Sequence, residues 1–131
     1  MKKKIAAGIT GILLASMAYG SDTDLIEGYR SAGAGPFSAT AGRAAWVQEH
    51  RPSSGGDARN CAVCHGTNLK KPGRHVKTGK RIEPMAVSVN SSRLNDPKKV
   101  EKWFGRNCRW TLGRDCTPEE KGSFIQFISN Q

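Results

Sequence analysis

The five residues Cys61-Ala62-Val63-Cys64-His65, "CAVCH", decide how this chain is built. Two thiols separated by two residues can each add to a vinyl group of one porphyrin, and a histidine directly after the second is then held where its ring nitrogen reaches the iron from the proximal side. A CxxC pair alone would also suit a redox dithiol, but that chemistry expects a βαβ setting, and no such alternation of strand and helix surrounds this one. Zinc would need two further ligands at matching spacing. Cys108 and Cys116 stand eight residues apart with no suitable histidine beside them. The motif therefore predicts one covalently attached haem c, with Cys61 and Cys64 as thioethers and His65 as the proximal iron ligand.

Upstream, the first twenty of the 131 residues have the form of an export signal. Lys2, Lys3 and Lys4 precede an uncharged, largely apolar run over residues 5–18, and Ala18-Tyr19-Gly20 forms a small-x-small cleavage site before Ser21. The apolar run is short for a membrane span and its exit is rich in small residues, so no stable membrane insertion of the mature chain is expected. Residues 1–20 are read as the signal peptide and 21–131 as a single monohaem domain, periplasmic after cleavage. Export also allows disulfides, and Cys108 with Cys116 is the direct pairing, with Gly113 available for a turn between them.

A domain of this length has a small apolar core and commonly needs a staple, a metal or a cofactor. Subtracting the three signal lysines from 21 basic residues leaves 18 against 11 acidic ones, a formal charge of +7 for residues 21–131. Such a surplus suits acidic partners or anionic surfaces, or is no more than a well-solvated surface. No aromatic residues interleave with a basic stripe, so no nucleic-acid platform is expected.

The text between motifs reads as helices and long loops, without an internal repeat. Leu25, Ile26 and Tyr29 share one helical face before a break at residues 33–36, and a second helix is expected over about residues 40–50, with Ala41, Ala45 and Trp46 on one side. Residues 66–89 are irregular, with a small hairpin expected around Thr78-Gly79. A third helix opens at Asp96-Pro97, a cap followed by a first-turn proline, and the last opens at Thr117-Pro118-Glu119-Glu120, a capping box, carrying Phe124, Phe127 and Ile128 on one face. Loops this long in so small a domain normally wrap something. Trp46, Trp103 and Phe104 are expected in the core and against the haem.

The group opposite His65 decides function. A strong second ligand makes an electron carrier, and a weak one leaves the iron able to bind small molecules. Met85, in "IEPMAV", could turn a thioether inward or fill space beside the porphyrin. His75 lies in the basic segment "GRHVKTGKR" and reads as an exposed loop residue, and His50 ends the second predicted helix, where it would meet the helix dipole. Asn107 falls at i+7 from Val100, with Trp103 and Phe104 at i+3 and i+4, so it continues an apolar stripe. Its amide could ligate iron, cap its own helix or bond a neighbouring loop.

The stretches "TGKRIEPMA", "VEKWFGRNC" and "GRDCTPEEK" resemble the sphaeroides haem protein group of c-type cytochromes, over about residues 41–128, with a weaker echo at "LIEGY". The resemblance implies a small, all-α, class I cytochrome c-like fold around one covalent haem, with first and last helices packed across each other. It also implies that His65 and Asn107 are the axial ligands of the ferric iron, with Met85 as apolar filler. The related cytochrome c double-prime group is similar in layout but carries histidine at the asparagine position. A neutral amide oxygen is a weak, hard donor that suits ferric better than ferrous iron, so reduction should release Asn107 and admit a small diatomic ligand such as O2, NO or CO. A multihaem or other c-type cytochrome is the implied electron donor. The alternative is a plain electron-transfer cytochrome with Met85 or His75 as distal ligand. Turnover of oxygen or a nitrogen oxide is a third reading, for which no acid-base residue stands out.

Overall fold

The computed structural model describes residues 22–131. The export signal expected over residues 1–20 lies outside them. The elements in chain order are α1 (Asp22–Ser31), α2 (Ala39–Val47), the single turn α3 (Ala62–His65), a hairpin of β1 (Gly73–Arg74) and β2 (Arg81–Ile82), α4 (Pro97–Leu112) and α5 (Pro118–Ser129). Among the described residues the fold is thus all-α apart from one two-stranded ribbon, in which Gly73 pairs with Ile82 and Arg74 with Arg81.

Helix starts follow local chemistry closely. Ser38, Asp96 and Thr117 each accept a backbone N–H from three residues ahead, and Glu120 reaches back to the Thr117 N–H to complete a capping box. Pro97 and Pro118 occupy the first helical position, where a missing N–H costs nothing. Gly113 closes α4 at φ 73°, a left-handed conformation that glycine adopts without strain.

α5 is the centre of the core, burying Phe124, Ile125, Phe127 and Ile128. α1 and α2 both pack across it, so the expected meeting of first and last helices occurs, but α2 makes the larger contact. Gly42 explains why. A Cβ there would lie 2.2 Å from the Ser123 carbonyl oxygen and 2.9 Å from Phe127 Cβ, so only glycine lets the two helices approach this closely. Gly122 plays the same part for Phe37, whose ring a Cβ would meet at 2.4 Å.

Two expectations are corrected by the fold, and a third is met only in part. α2 ends at Val47 rather than at about residue 50, and His50 instead pairs its backbone with Arg59 in an isolated bridge of 2.8 Å hydrogen bonds. His50 is therefore no helix C-terminus. Trp103 is 45% exposed to solvent, with the Arg106 guanidinium 5.0 Å from its ring centroid, whereas Trp46 is buried and Phe104 stacks on Phe124.

Candidate functional site: a covalent haem centre

Cys61, Cys64 and His65 come together on one turn. Cys61 leads into α3 with helical backbone, the His65 N–H donates to the Cys61 carbonyl at 3.1 Å, and Gly66 ends the turn at φ 72°. Asn60 Oδ1 accepts the Val63 N–H at 2.9 Å and caps the start. Trp46 braces both ends, since its carbonyl accepts the Cys61 N–H at 3.1 Å and its indole Nε1–H donates to the Gly66 carbonyl at 2.9 Å. Its ring centroid stands 5.4 Å from that of His65. The second side of the turn is closed by β1, where a Cβ on Gly73 would lie 2.1 Å from the Cys64 carbonyl oxygen.

The donor set fits a covalently attached haem. Cys61 and Cys64 are both free thiols, half-buried, and burial followed by the charge of Cys64 pushes the Cys61 thiol up to about 11. His65 Nδ1 is buried without a hydrogen-bond partner. Burial, then the positive charge of Arg93, pulls the His65 pKa down to about 4, which keeps the imidazole in the neutral form that a metal requires. Met85 is half-buried against the core, beside Ala86, whose N–H donates to the Leu69 carbonyl at 2.9 Å. Arg93 clamps the segment before Met85, donating to the carbonyls of Pro84 at 2.9 Å and Glu83 at 2.6 Å.

Asn107 lies on α4, exposed, and its amide makes no hydrogen bond among the described residues. It does not cap its own helix; Gly113 does that. Around it, Val100, Trp103 and Trp110 continue a stripe of large apolar side chains, and buried Thr111 and Cys108 flank that stripe on one side. The end of this helix is fixed twice. Cys108 and Cys116, both buried, form a disulfide with Cα atoms 5.5 Å apart, as the sequence suggested. Arg59 donates to the Trp110 carbonyl at 2.9 Å and lies 4.8 Å over its ring. His75 is exposed in the hairpin loop, its Nδ1 accepting the N–H groups of Thr78 at 3.2 Å and Lys77 at 3.3 Å.

Sequence reasoning missed Arg59, Gly73 and Arg93. Each acts on residues far along the chain or through a backbone approach, and neither leaves a periodic trace.

Comparison with known proteins agrees with this geometry. Residues 32–128 match the family model described as Domain of unknown function (DUF1924). Cytochrome c-type protein SHP of Cereibacter sphaeroides is 39% identical over 128 residues, covering 94% of this chain and 96% of that one. Cytochrome c'' of Methylophilus methylotrophus is 34% identical over 137 residues, covering 98% and 94%. Among solved structures, oxidised SHP, described as an oxygen-binding cytochrome c, superposes with a TM-score of 0.77 at 38% identity, over 87% of this chain and 100% of that one. Oxidised cytochrome c'' follows at 0.71 and 34%, over 82% and 91%. The fold is accordingly the class I cytochrome c-like one that the motifs implied. By the family match over residues 32–128 and by these relatives, the chain belongs to the DUF1924 family and is an SHP-like c-type cytochrome with covalently attached haem c.

Proposed function

We propose that this chain is an exported, periplasmic haem protein whose ligand binding is switched by its oxidation state. Cys61 and Cys64 carry the haem thioethers, His65 is the proximal ligand, and Asn107 holds the ferric iron from the other side. The observation that carries the reading is the Asn107 amide itself, a polar group without a hydrogen bond set among Val100, Trp103 and Trp110. A side chain so placed has a free oxygen to offer and apolar neighbours that suit a porphyrin face. The haem supplies the redox couple and the coordination position.

An amide oxygen is a weak donor for ferrous iron, so Asn107 lets go on reduction and a small ligand such as O2, NO or CO takes its place. The relative SHP is described as oxygen-binding, and the solution structure of cytochrome c'' addresses haem-ligand detachment in that protein, which favours a labile distal ligand here. Another c-type cytochrome, multihaem by family resemblance, supplies the electron. Among the described residues no helix is long and apolar enough to cross a membrane.

Absorption spectra of both oxidation states, with and without CO, test the proposal. A reduced protein that takes up CO supports it. Low-spin haem in both states and no CO uptake would instead support a plain electron carrier with Met85 or His75 as distal ligand.

A further inference from the structure

Residues 70–81, "KKPGRHVKTGKR", hold six cations and no carboxylate. Lys70, Lys71, Arg74, Lys77, Lys80 and Arg81 are all exposed. Of these six, only Arg81 has an ion-pair partner among the described residues, Glu83 at 2.9 Å, while Arg74 donates to the Gly79 carbonyl. A run of solvated charge would ordinarily carry nothing further. This one is bolted to the haem-attachment turn. Gly73 lies against the Cys64 backbone too closely for any side chain, and the Val76 N–H reaches Cys64 Sγ at 3.4 Å. Val76 is itself 55% exposed, so an exposed apolar residue whose backbone reaches the Cys64 sulfur lies within the cationic segment. An apolar centre inside a charged rim is the anatomy of a transient protein interface.

We infer that the β1–β2 hairpin is the docking surface for the redox partner, and that the partner is a haem protein presenting an acidic patch at its own exposed cofactor edge. The inference rests on the reading that Cys64 carries the haem. Docked there, the partner approaches the haem through Val76 and Cys64. One electron then leaves the ferrous partner, which becomes ferric, and reduces the ferric form of this protein. Opposite charges raise the rate of encounter and fix its orientation, and salt screens both effects.

The test uses the holoprotein and the soluble domain of cytochrome b5, an acidic haem protein, as probe. The triple variant Lys70→Glu/Lys77→Glu/Lys80→Glu is compared with Lys98→Glu/Lys99→Glu/Lys102→Glu, which changes net charge equally but at exposed positions of α4. At low ionic strength the hairpin variant should transfer electrons about tenfold more slowly and lose most of its salt dependence, with the α4 variant within about twofold of the parent. Lysine acetylation read by mass spectrometry gives a second measure without electron transfer: cytochrome b5 should protect Lys70, Lys77 and Lys80 and leave Lys98, Lys99 and Lys102 reactive. Equal slowing of both variants, or protection elsewhere, would overturn the docking surface while leaving the haem assignment intact. A proteolytic haem peptide lacking Cys64 would remove the haem assignment and the surface together.

Discussion

An amide that finds no partner in its own chain is cheap to keep only where something else meets it, or where water does. Asn107 is exposed and without hydrogen bonds, so its removal should scarcely touch the protein moiety. Asn107→Ala is expected to change unfolding free energy by no more than about 0.5 kcal/mol, the range of surface substitutions, while altering the ferric absorption and paramagnetic resonance spectra. The contrasting variant is Met85→Leu, a volume-conserving change at a half-buried core position, which should cost less than about 1.5 kcal/mol and leave the ferric spectrum as it was. Spectra that respond to Met85 and ignore Asn107 would reverse the assignment. A different residue, Glu101, contributes stability that is lost in acid. It accepts a hydrogen bond from the Tyr29 hydroxyl and pairs with Lys121 Nζ at 2.6 Å, joining α1, α4 and α5. Burial alone would raise its pKa, but the hydrogen bonds and charge of Lys121, with the Tyr29 bond, outweigh burial and hold it below 4.5. A carboxylate depressed in the folded state contributes stability that is complete above its unfolded pKa and lost as pH falls through the folded one. Denaturation curves of Glu101→Gln should therefore show lower stability at neutral pH, by about 1–2 kcal/mol, and a shallower loss below about pH 4.5 than the parent.

Between elements, the tightest constraint is the crossing of α2 and α5 at Gly42. Gly42→Ala would force a methyl group to within 2.2 Å of a backbone oxygen that cannot swing aside, so the helices must part. The expected cost is about 1–3 kcal/mol in a chemical denaturation experiment, despite the better helix propensity of alanine. The disulfide acts at the junction of α4 and α5. Removing it by Cys108→Ser/Cys116→Ser should cost about 2–3 kcal/mol by loop entropy. Because Cys108 directly follows Asn107, the same change should also shift CO affinity or reduction potential if the bridge governs how easily the amide moves away. An unchanged affinity in a folded variant would leave it a staple alone. Helix starts were legible in advance because a cap is a matter of four neighbouring residues: Asp96-Pro97 and Thr117 to Glu120 declare themselves. The CAVCH motif was legible for the same reason, its five residues being contiguous. The end of α2 was not, since it is drawn out by the pairing of His50 with Arg59, nine residues on. For Trp103 periodicity identified an apolar stripe, which protein leaves uncovered. The contact of Tyr29 with Glu101 spans 72 residues and had no local signature at all.

At the scale of the molecule, the protein core is unevenly shared. α5 supplies Phe124, Ile125, Phe127 and Ile128, and α2 supplies Trp46, whereas α4, the longest helix described, buries only Cys108 and Thr111. α4 also lies away from the other helices over most of its length and reaches them through Phe104, the Glu101 cluster and the disulfide. An amphipathic helix gains most of its stability from what its apolar face covers. For α4 that face includes Val100, Trp103 and Trp110, and the haem is the large apolar body available to meet it. α1 and α2, by contrast, pack directly on α5. A chain denied its haem by Cys61→Ala/Cys64→Ala should thus loosen in parts rather than as a whole. In hydrogen exchange, amides of α4 should lose protection by at least about tenfold relative to the holoprotein, while those of α2 and α5 change much less. Uniform loss across all four long helices would mean that haem holds the entire core together. Protection of α4 kept at the holoprotein level would mean that its apolar stripe owes nothing to the haem, and the placement of Asn107 beside the iron would fall with it.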